Sequence, residues 1–277
     1  MSLLERQSHF EFGENWKAYS RKIDQGRIDF AIEGMTKLFP EGLAGKTFLD
    51  IGCGSGLHSL AALKLGAASV TAIDIDENSV ETTKQLLARF VPEAAWKANV
   101  VSIFDASPQT LGTFDVVYSW GVLHHTGDMW RAIERAGALV RPGGRFAIAI
   151  YEATPFDSTW KLEKRLYAHA PRPLQWALRQ VYMAAQLVRV SFRENPVAYV
   201  RDYAKLRGMH FSHDAHDWLG GHPYETAQAD ELIARVCAQG FTELRTFPIP
   251  RTIGVLGTGC SEFVFVRNEA GLRDGHA

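Results

Sequence analysis

Apolar and polar positions change their rhythm twice along this chain. From residue 46 to 151, short runs rich in β-branched and other apolar residues alternate with segments of helical period. The runs are KTFLDI (46–51), SVTAIDI (69–75), AWKANVV (95–101), TFDVVYSW (113–120) and RFAIAIY (145–151), with helical segments at about 57–65, 77–89 and 128–140. This alternation predicts a parallel sheet covered by helices on both faces, the doubly wound α/β class. Asp128 or Thr126 is positioned to cap the third helix, and Pro142-Gly143-Gly144 is read as its stop.

Residues 152–222 carry no strand pattern; DSTWKLEKRLYAHA, PLQWALRQVYMAAQLVRVSF and PVAYVRDYAKLRG read as helices rich in Trp, Tyr and Leu. Strand patterns return at FTELRTFPI (241–249) and CSEFVFVRN (260–268), after the helical ADELIARVCAQG. The expected organisation is an N-terminal helical lid (1–45), a sheet domain from 46–151 and 223–277, and an inserted helical cap (152–222) over the ligand cleft. A packing or dimerisation element is the alternative for the insert, and a homodimer is a possible assembly.

Composition narrows the function classes. The chain has 277 residues, 46% of them hydrophobic, enough for a large buried core. Thirty basic residues face thirty-one acidic ones, so the overall positive field of a nucleic-acid binder is missing. Cys53, Cys237 and Cys260 lie too far apart for a disulfide framework or a four-ligand zinc site, which suits a reducing cytoplasm. No apolar run reaches the roughly 18 residues of a membrane span, so the expectation is a cytoplasmic protein with a small-molecule partner, without nucleic acid or membrane.

The chemistry concentrates in FLDIGCGSGLHSLAALKLGAASVTAIDID. Gly52, Gly54 and Gly56 follow a strand and open a helix, so backbone can turn tightly and approach a ligand. A dinucleotide site places a glycine three residues after the second one, to bring the helix against a pyrophosphate; here that position is Leu57. Asp50 precedes the loop and would repel a pyrophosphate, whereas it can organise contacts to an ammonium. Asp74, 22 residues beyond Gly52, ends the second strand, where a carboxylate accepts both hydroxyls of an adenosine ribose.

With glycine loop, acidic second-strand end, fourth strand and PGG turn in this order, the sequence resembles class I S-adenosylmethionine-dependent methyltransferases. The resemblance runs from about residue 46 to 151 and resumes with the last two strands. It implies a mostly parallel, seven-stranded Rossmann-like sheet with a last antiparallel strand, and S-adenosyl-L-methionine as cofactor. By the same resemblance Asp50, Gly52, Gly54 and Gly56 line the methionine end, Asp74 holds the ribose, and Ile75, Ser102 and Ile103 surround the adenine. Ser102 departs from the pattern, since many members have Asp there.

The fourth strand ends in Ser119-Trp120-Gly121-Val122, not in the Pro-Pro-aromatic stretch of enzymes that methylate nucleic-acid bases or a protein glutamine. YSWGVLHHTGDMW, with RPGG and RGMHFSHDAHDWLGGHPYE, is similar to bacterial small-molecule, quinone-methylase-like methyltransferases. The implied reaction is methyl transfer to a hydroxyl or amine of a small metabolite; aminocarboxypropyl transfer, internal cyclisation releasing methylthioadenosine, or a non-catalytic binding subunit are the alternatives. The resemblance puts Trp120 beside the donor.

His124 is the candidate base for a hydroxyl acceptor, with scaffolding as the other reading, and His125 is expected to anchor its loop. Glu152, Asp217, Tyr224 and Glu225 are candidates for acceptor binding. For Tyr224 and Glu225 core closure and helix capping weigh equally. The histidines of HFSHDAHDWLGG (His210, His213, His216) raise a metal question, but a hydrogen-bonded loop at the cleft mouth is the preferred reading, so no metal is expected. Phe10, Phe12, Trp16 and Tyr19 either close over the donor, Trp16 touching it, or pack into the core.

Overall fold

The computed structural model describes residues 23–207, 210–250 and 252–269. Seven strands form one sheet in the order β3-β2-β1-β4-β5-β7-β6. They are β1 (Thr47–Ile51), β2 (Ser69–Asp74), β3 (Trp96–Val100), β4 (Phe114–Trp120), β5 (Val140–Tyr151), β6 (Phe241–Phe247) and β7 (Cys260–Arg267). β1 to β5 pair in parallel, while β7 runs antiparallel to both β5 and β6. The strand order reverses between β1 and β4, and the carboxyl edge at such a switch point is where the loops part to leave a crevice.

Side-chain alternation along each strand assigns the helices to faces. Leu49, Ile73, Val117, Phe146 and Phe263 point to one face and pack against Ala132, Ile133 and Ala136 of α5 (Met129–Ala138) and Leu232 and Val236 of α10 (Ala229–Cys237). Phe48, Val70, Val116, Tyr118 and Val264 point to the other, against Ala31 and Met35 of α1 (Gln25–Leu38) and Ala61 and Ala62 of α2 (Leu57–Lys64). Two further helices, α3 (Glu77–Phe90) and the short α4 (Pro108–Leu111), complete the wrapping. The N-terminal segment with Phe10, Phe12, Trp16 and Tyr19 lies outside the described residues.

Between β5 and α10 the chain forms α6 (Asp157–Ala168), α7 (Arg172–Ser191), α8 (Pro196–Arg207) and α9 (Phe211–Gly220). Trp160 and Tyr167 of α6, Trp218 and Leu219 of α9, and Tyr224 form a separate aromatic cluster, packed against Tyr151 at the end of β5. This cluster hooks the inserted helices onto the carboxyl edge of the sheet. The outer side of α7 is bare: Leu174, Trp176, Leu178, Val181, Val188 and Phe192 are exposed. No described helix is long and apolar enough to cross a membrane.

Two local expectations change. The HFSHDAHDWLGG segment is helical as α9, not a loop. Pro142-Gly143-Gly144 does not stop α5, which ends at Ala138; it lies inside β5, where pairing with β4 jumps from Phe114–Val140 to Val116–Arg145. The extra residues bulge out, and Gly144 is needed because a Cβ there would fall 2.8 Å from the Arg141 carbonyl. Of the two candidate caps of α5, Asp128 accepts the Arg131 amide at 3.3 Å, whereas Thr126 donates back to Leu123 O at 2.7 Å.

Candidate functional site

The loop after β1 is built around glycines for two different reasons. Gly52 (φ 74°) would place a Cβ 2.4 Å from Val122 of the β4 loop, so the loops flanking the switch point meet only because Gly52 has no side chain. Gly56 (φ 79°) opens α2, and a Cβ there would lie 2.9 Å from Thr83 Cα, so it sets how closely α3 approaches. Gly54, between them, donates its amide to Asp74 Oδ2 at 3.0 Å, and Asp76 donates its own to Asp74 Oδ1 at 2.9 Å. Asp74 thus holds the loop that it faces.

Asp50 is buried on the other side of this loop and accepts a 2.6 Å hydrogen bond from Ser59 Oγ of α2. Burial pushes its carboxyl up to about 7, with a contribution from the Asp74 charge; burial likewise lifts Asp74 to about 6. Neither carboxylate pairs with a Lys or Arg among the described residues. A buried and a half-buried acid, Asp50 raised by the Asp74 charge and Asp74 by that of Asp76, flank a pliant backbone loop; they match a ligand carrying positive charge and hydroxyl donors, and oppose a pyrophosphate. Beside Asp74, half-buried Ile75, Ser102 and buried Ile103 form the edge of β2 and β3; Ser102 Oγ accepts the Phe104 amide at 3.3 Å. Position 102 carries a hydroxyl in place of a carboxylate.

Trp120, the last residue of β4, shares the face of Tyr118 and Val116. Its indole donates to Glu262 Oε1 at 2.9 Å, and Glu262 also holds Lys37 of α1. His58 of α2 lies 5.2 Å from the Tyr118 ring and 6.0 Å from that of Trp120, and burial lowers it to about 4. His58 and Glu262 were not singled out from the sequence. The strand parity of Tyr118 and Trp120 was the available signal for the face on which they meet.

The adjacent histidines lie in a 3₁₀ turn, 123–125. His125 Nδ1 is 2.7 Å from Pro223 O, tying the β4 loop to the return from α9. His124 is fully buried, its ring 4.1 Å from that of Tyr151, and neither ring nitrogen has a hydrogen-bond partner. Burial first, then the neighbouring His125 and Lys164, hold it well below the usual imidazole range. It is therefore neutral at physiological pH.

The four acceptor candidates divide. Glu152, buried at the end of β5, accepts Ser261 Oγ at 2.7 Å and the Ala229 amide at 3.3 Å, which caps α10. Glu225 accepts the Met129 amide at 2.9 Å, so it caps α5, while its own amide donates to His124 O at 3.0 Å. Burial raises the Glu225 carboxyl. Tyr224 is 2% exposed with its hydroxyl unpartnered, and Asp217 is half-buried on α9. On that helix His216 Nδ1 meets Tyr167 Oη at 2.8 Å and Asp214 accepts from Tyr203 Oη.

The sequence reading also passed over Lys164 of α6, which is fully buried among rings. Trp160, Lys164 and Tyr167 follow i, i+4, i+7, so the lysine stands within the inward stripe of its helix, and that spacing was the signal.

Residues 49–146 match the family profile described as a methyltransferase domain. Over those residues the chain is similar to methyltransferase domains. That match begins within β1 and ends within β5, so it contains the glycine loop, Asp74 and the histidine turn but none of the inserted helices. Among curated proteins, the chain is 31% identical over 158 residues to 27-O-demethylrifamycin SV methyltransferase of Amycolatopsis mediterranei (strain S699), covering 52% of this chain and 54% of that protein. It is 30% identical to the ubiquinone biosynthesis O-methyltransferase of Rhizobium etli (strain CIAT 652), over 60% of this chain and 63% of that one. The chain thus spans about half the length of the curated relatives it matches. Among solved structures, magnesium protoporphyrin IX methyltransferase from Synechocystis PCC 6803 with bound SAH superposes with a TM-score of 0.53 at 15% identity, over 88% of this chain and 84% of that one, a likeness of fold.

Proposed function

We propose that this protein transfers the methyl group of S-adenosyl-L-methionine to a hydroxyl or amine of a small-molecule acceptor. The observation that carries the donor is the pair of carboxylates, buried Asp50 and half-buried Asp74, around the glycine loop at the switch point of a region similar to methyltransferase domains. In this reading Asp50 with Gly52, Gly54 and Gly56 receives the methionine end. Asp74 keeps its amide bonds and offers its remaining lone pairs to the ribose, and Ile75, Ser102 and Ile103 border the adenine. Bound there, the donor supplies an activated methyl on a sulfonium, so the chain's own tasks are to orient an acceptor and exclude water.

The acceptor side is read from α6 to α9, which meet the carboxyl edge through Tyr151 and serve as a cap. Supporting a small-molecule acceptor are the balanced charge and the two relatives named as O-methyltransferases. A cytoplasmic location belongs to the same proposal. So does a homodimer, for which the exposed 3,4-spaced stripe Leu174, Leu178, Val181, Val188 and Phe192 is the surface to be covered; sedimentation of the purified protein tests it.

Calorimetric titration with S-adenosylhomocysteine and with a nicotinamide dinucleotide tests the donor. Binding of the first alone supports the reading, and the converse overturns it. Mass spectrometry then separates outcomes, because methylthioadenosine released in place of S-adenosylhomocysteine excludes methyl transfer.

A further inference from the structure

Around Lys164 the fold collects buried hydrogen-bonding side chains, several of which find no partner among the described residues. The Lys164 ammonium donates to the Trp218 carbonyl and otherwise faces rings: its Nζ is 3.7 Å from the Trp218 centroid, 5.0 Å from Tyr224 and 5.7 Å from Trp160. Trp218 Nε1, Tyr224 Oη and both nitrogens of His124 are buried without partners. These side chains are continuous in space. Tyr151 touches His124 at 4.1 Å, Trp218 at 5.2 Å and Tyr224 at 5.5 Å between ring centroids. His124 follows β4 and Tyr151 ends β5, so the cluster sits on the edge where the domain binds ligands. Buried polar atoms in folded proteins are nearly always bonded, and four unbonded ones in one cluster call for a ligand.

The chemistry of the cluster states which ligand. An ammonium, an indole N–H and a phenol O–H all give hydrogens, and a neutral imidazole gives one more. Among the described residues no carboxylate hydrogen-bonds to Lys164; the charge of Glu163, beside it on α6, favours the ammonium electrostatically, and Glu163 Oε2 is buried without a hydrogen-bond partner. Trp160, Trp218, Tyr151 and Tyr224 surround these donors with aromatic surface, their ring centroids 5.2 to 5.5 Å apart where they touch.

We propose that Lys164, Trp218, Tyr224 and His124 form the acceptor subsite, which takes an oxyanion of the acceptor, a carboxylate or a phenolate. This deepens the methyl-transfer reading and rests on it for the word acceptor; the anion site itself is testable without the donor. A phenolate would be the attacking oxygen, and a carboxylate would be an anchor that positions a hydroxyl elsewhere on the acceptor.

The test is quenching of tryptophan fluorescence in the full-length protein by benzoate, by 4-nitrophenol, whose absorbance reports its ionised form, and by neutral benzamide. The expected result is that an anion binds about 10- to 100-fold tighter than benzamide, the range of a charge-assisted hydrogen bond. Whichever anion binds tighter identifies carboxylate or phenolate. Lys164→Met should abolish the preference, Lys164→Arg should retain part of it, and Tyr224→Phe, which keeps the ring, should reduce it. Benzamide binding as well as the anions, no anion binding at millimolar concentration, or a preference undiminished in both Lys164→Met and Tyr224→Phe would overturn the subsite. S-adenosylhomocysteine titrated into the same samples keeps the two readings apart: its failure to bind sinks the donor assignment, while loss of anion preference with donor affinity intact sinks only this one.

Discussion

Asp50→Asn removes a buried charge and preserves the shape of the side chain and its contact with Ser59. In the folded protein Asp50 titrates at about 7, against about 3.9 in an unfolded chain. The raised value means that the folded state holds its proton more tightly, so stability is highest below the unfolded value and is lost as pH rises toward 7. Between pH 5 and 8 the folded group gives up its proton over about two pH units while the unfolded one is already ionised. At about 1.36 kcal/mol per unit, the wild type loses about 2.7 kcal/mol through this group. Other groups act in the same window. Asp74 adds to the loss, and His58 and His216, both lowered to about 4 by burial, oppose it by favouring the folded state as pH rises toward 6.5. The wild-type curve alone is therefore uninformative, but the difference between wild type and Asp50→Asn cancels these shared contributions. Urea unfolding at pH 5 and 8, with S-adenosylhomocysteine absent, should show the variant gaining about 2.7 kcal/mol relative to wild type at the higher pH, while its affinity for S-adenosylhomocysteine falls about 10- to 100-fold. A gap that stays constant across the pH range would refute the assignment of a strained, ligand-directed charge to Asp50.

Gly52→Ala should destabilise the fold by about 2 to 4 kcal/mol in urea unfolding, because it adds a strained φ to a 2.4 Å collision with Val122; Val122→Ala in the same chain should recover part of the loss. Glu225→Ala, which uncaps α5 at Met129, should cost about 1 kcal/mol by the same assay without altering affinity for S-adenosylhomocysteine. His124→Ala separates two roles in single-turnover kinetics: retained donor affinity with lost methyl transfer marks a base, and unchanged transfer marks a scaffold. Because the His124 imidazole is held below its ordinary range, its contribution to stability is present above about pH 6.5 and declines as pH falls, so His124→Phe should flatten the acid limb of a thermal denaturation series.

What could be read from the chain follows the strength of its local physics. Parallel strands buried on both faces spell themselves as apolar runs, and glycines cluster where backbone must turn tightly, so the parallel sheet and the glycine loop after β1 were legible. The start of β5 was not, because Pro142 and two glycines carry the same local signature whether they end a helix or form a bulge; only the pairing of Phe114 with Val140 decides between them. Glu152 and Glu225 are candidates for acceptor contact in the sequence, with helix capping the equal alternative for Glu225; in the fold each accepts the first amide of a helix distant in sequence, α10 and α5. Capping across 77 and 96 positions leaves no local trace. Lys164 was legible in principle: on a helix whose inward stripe is Trp160, Lys164 and Tyr167, a lysine either snorkels to solvent or is buried for a reason. The stripe establishes that it faces inward, and only the tertiary fold brings Trp218, Tyr224 and His124 around it from two other parts of the chain. In the proposed reading the donor half of the site is written in one contiguous motif, whereas the acceptor half exists only where α6, α9 and the β4 loop converge, and that convergence is where specificity would be set.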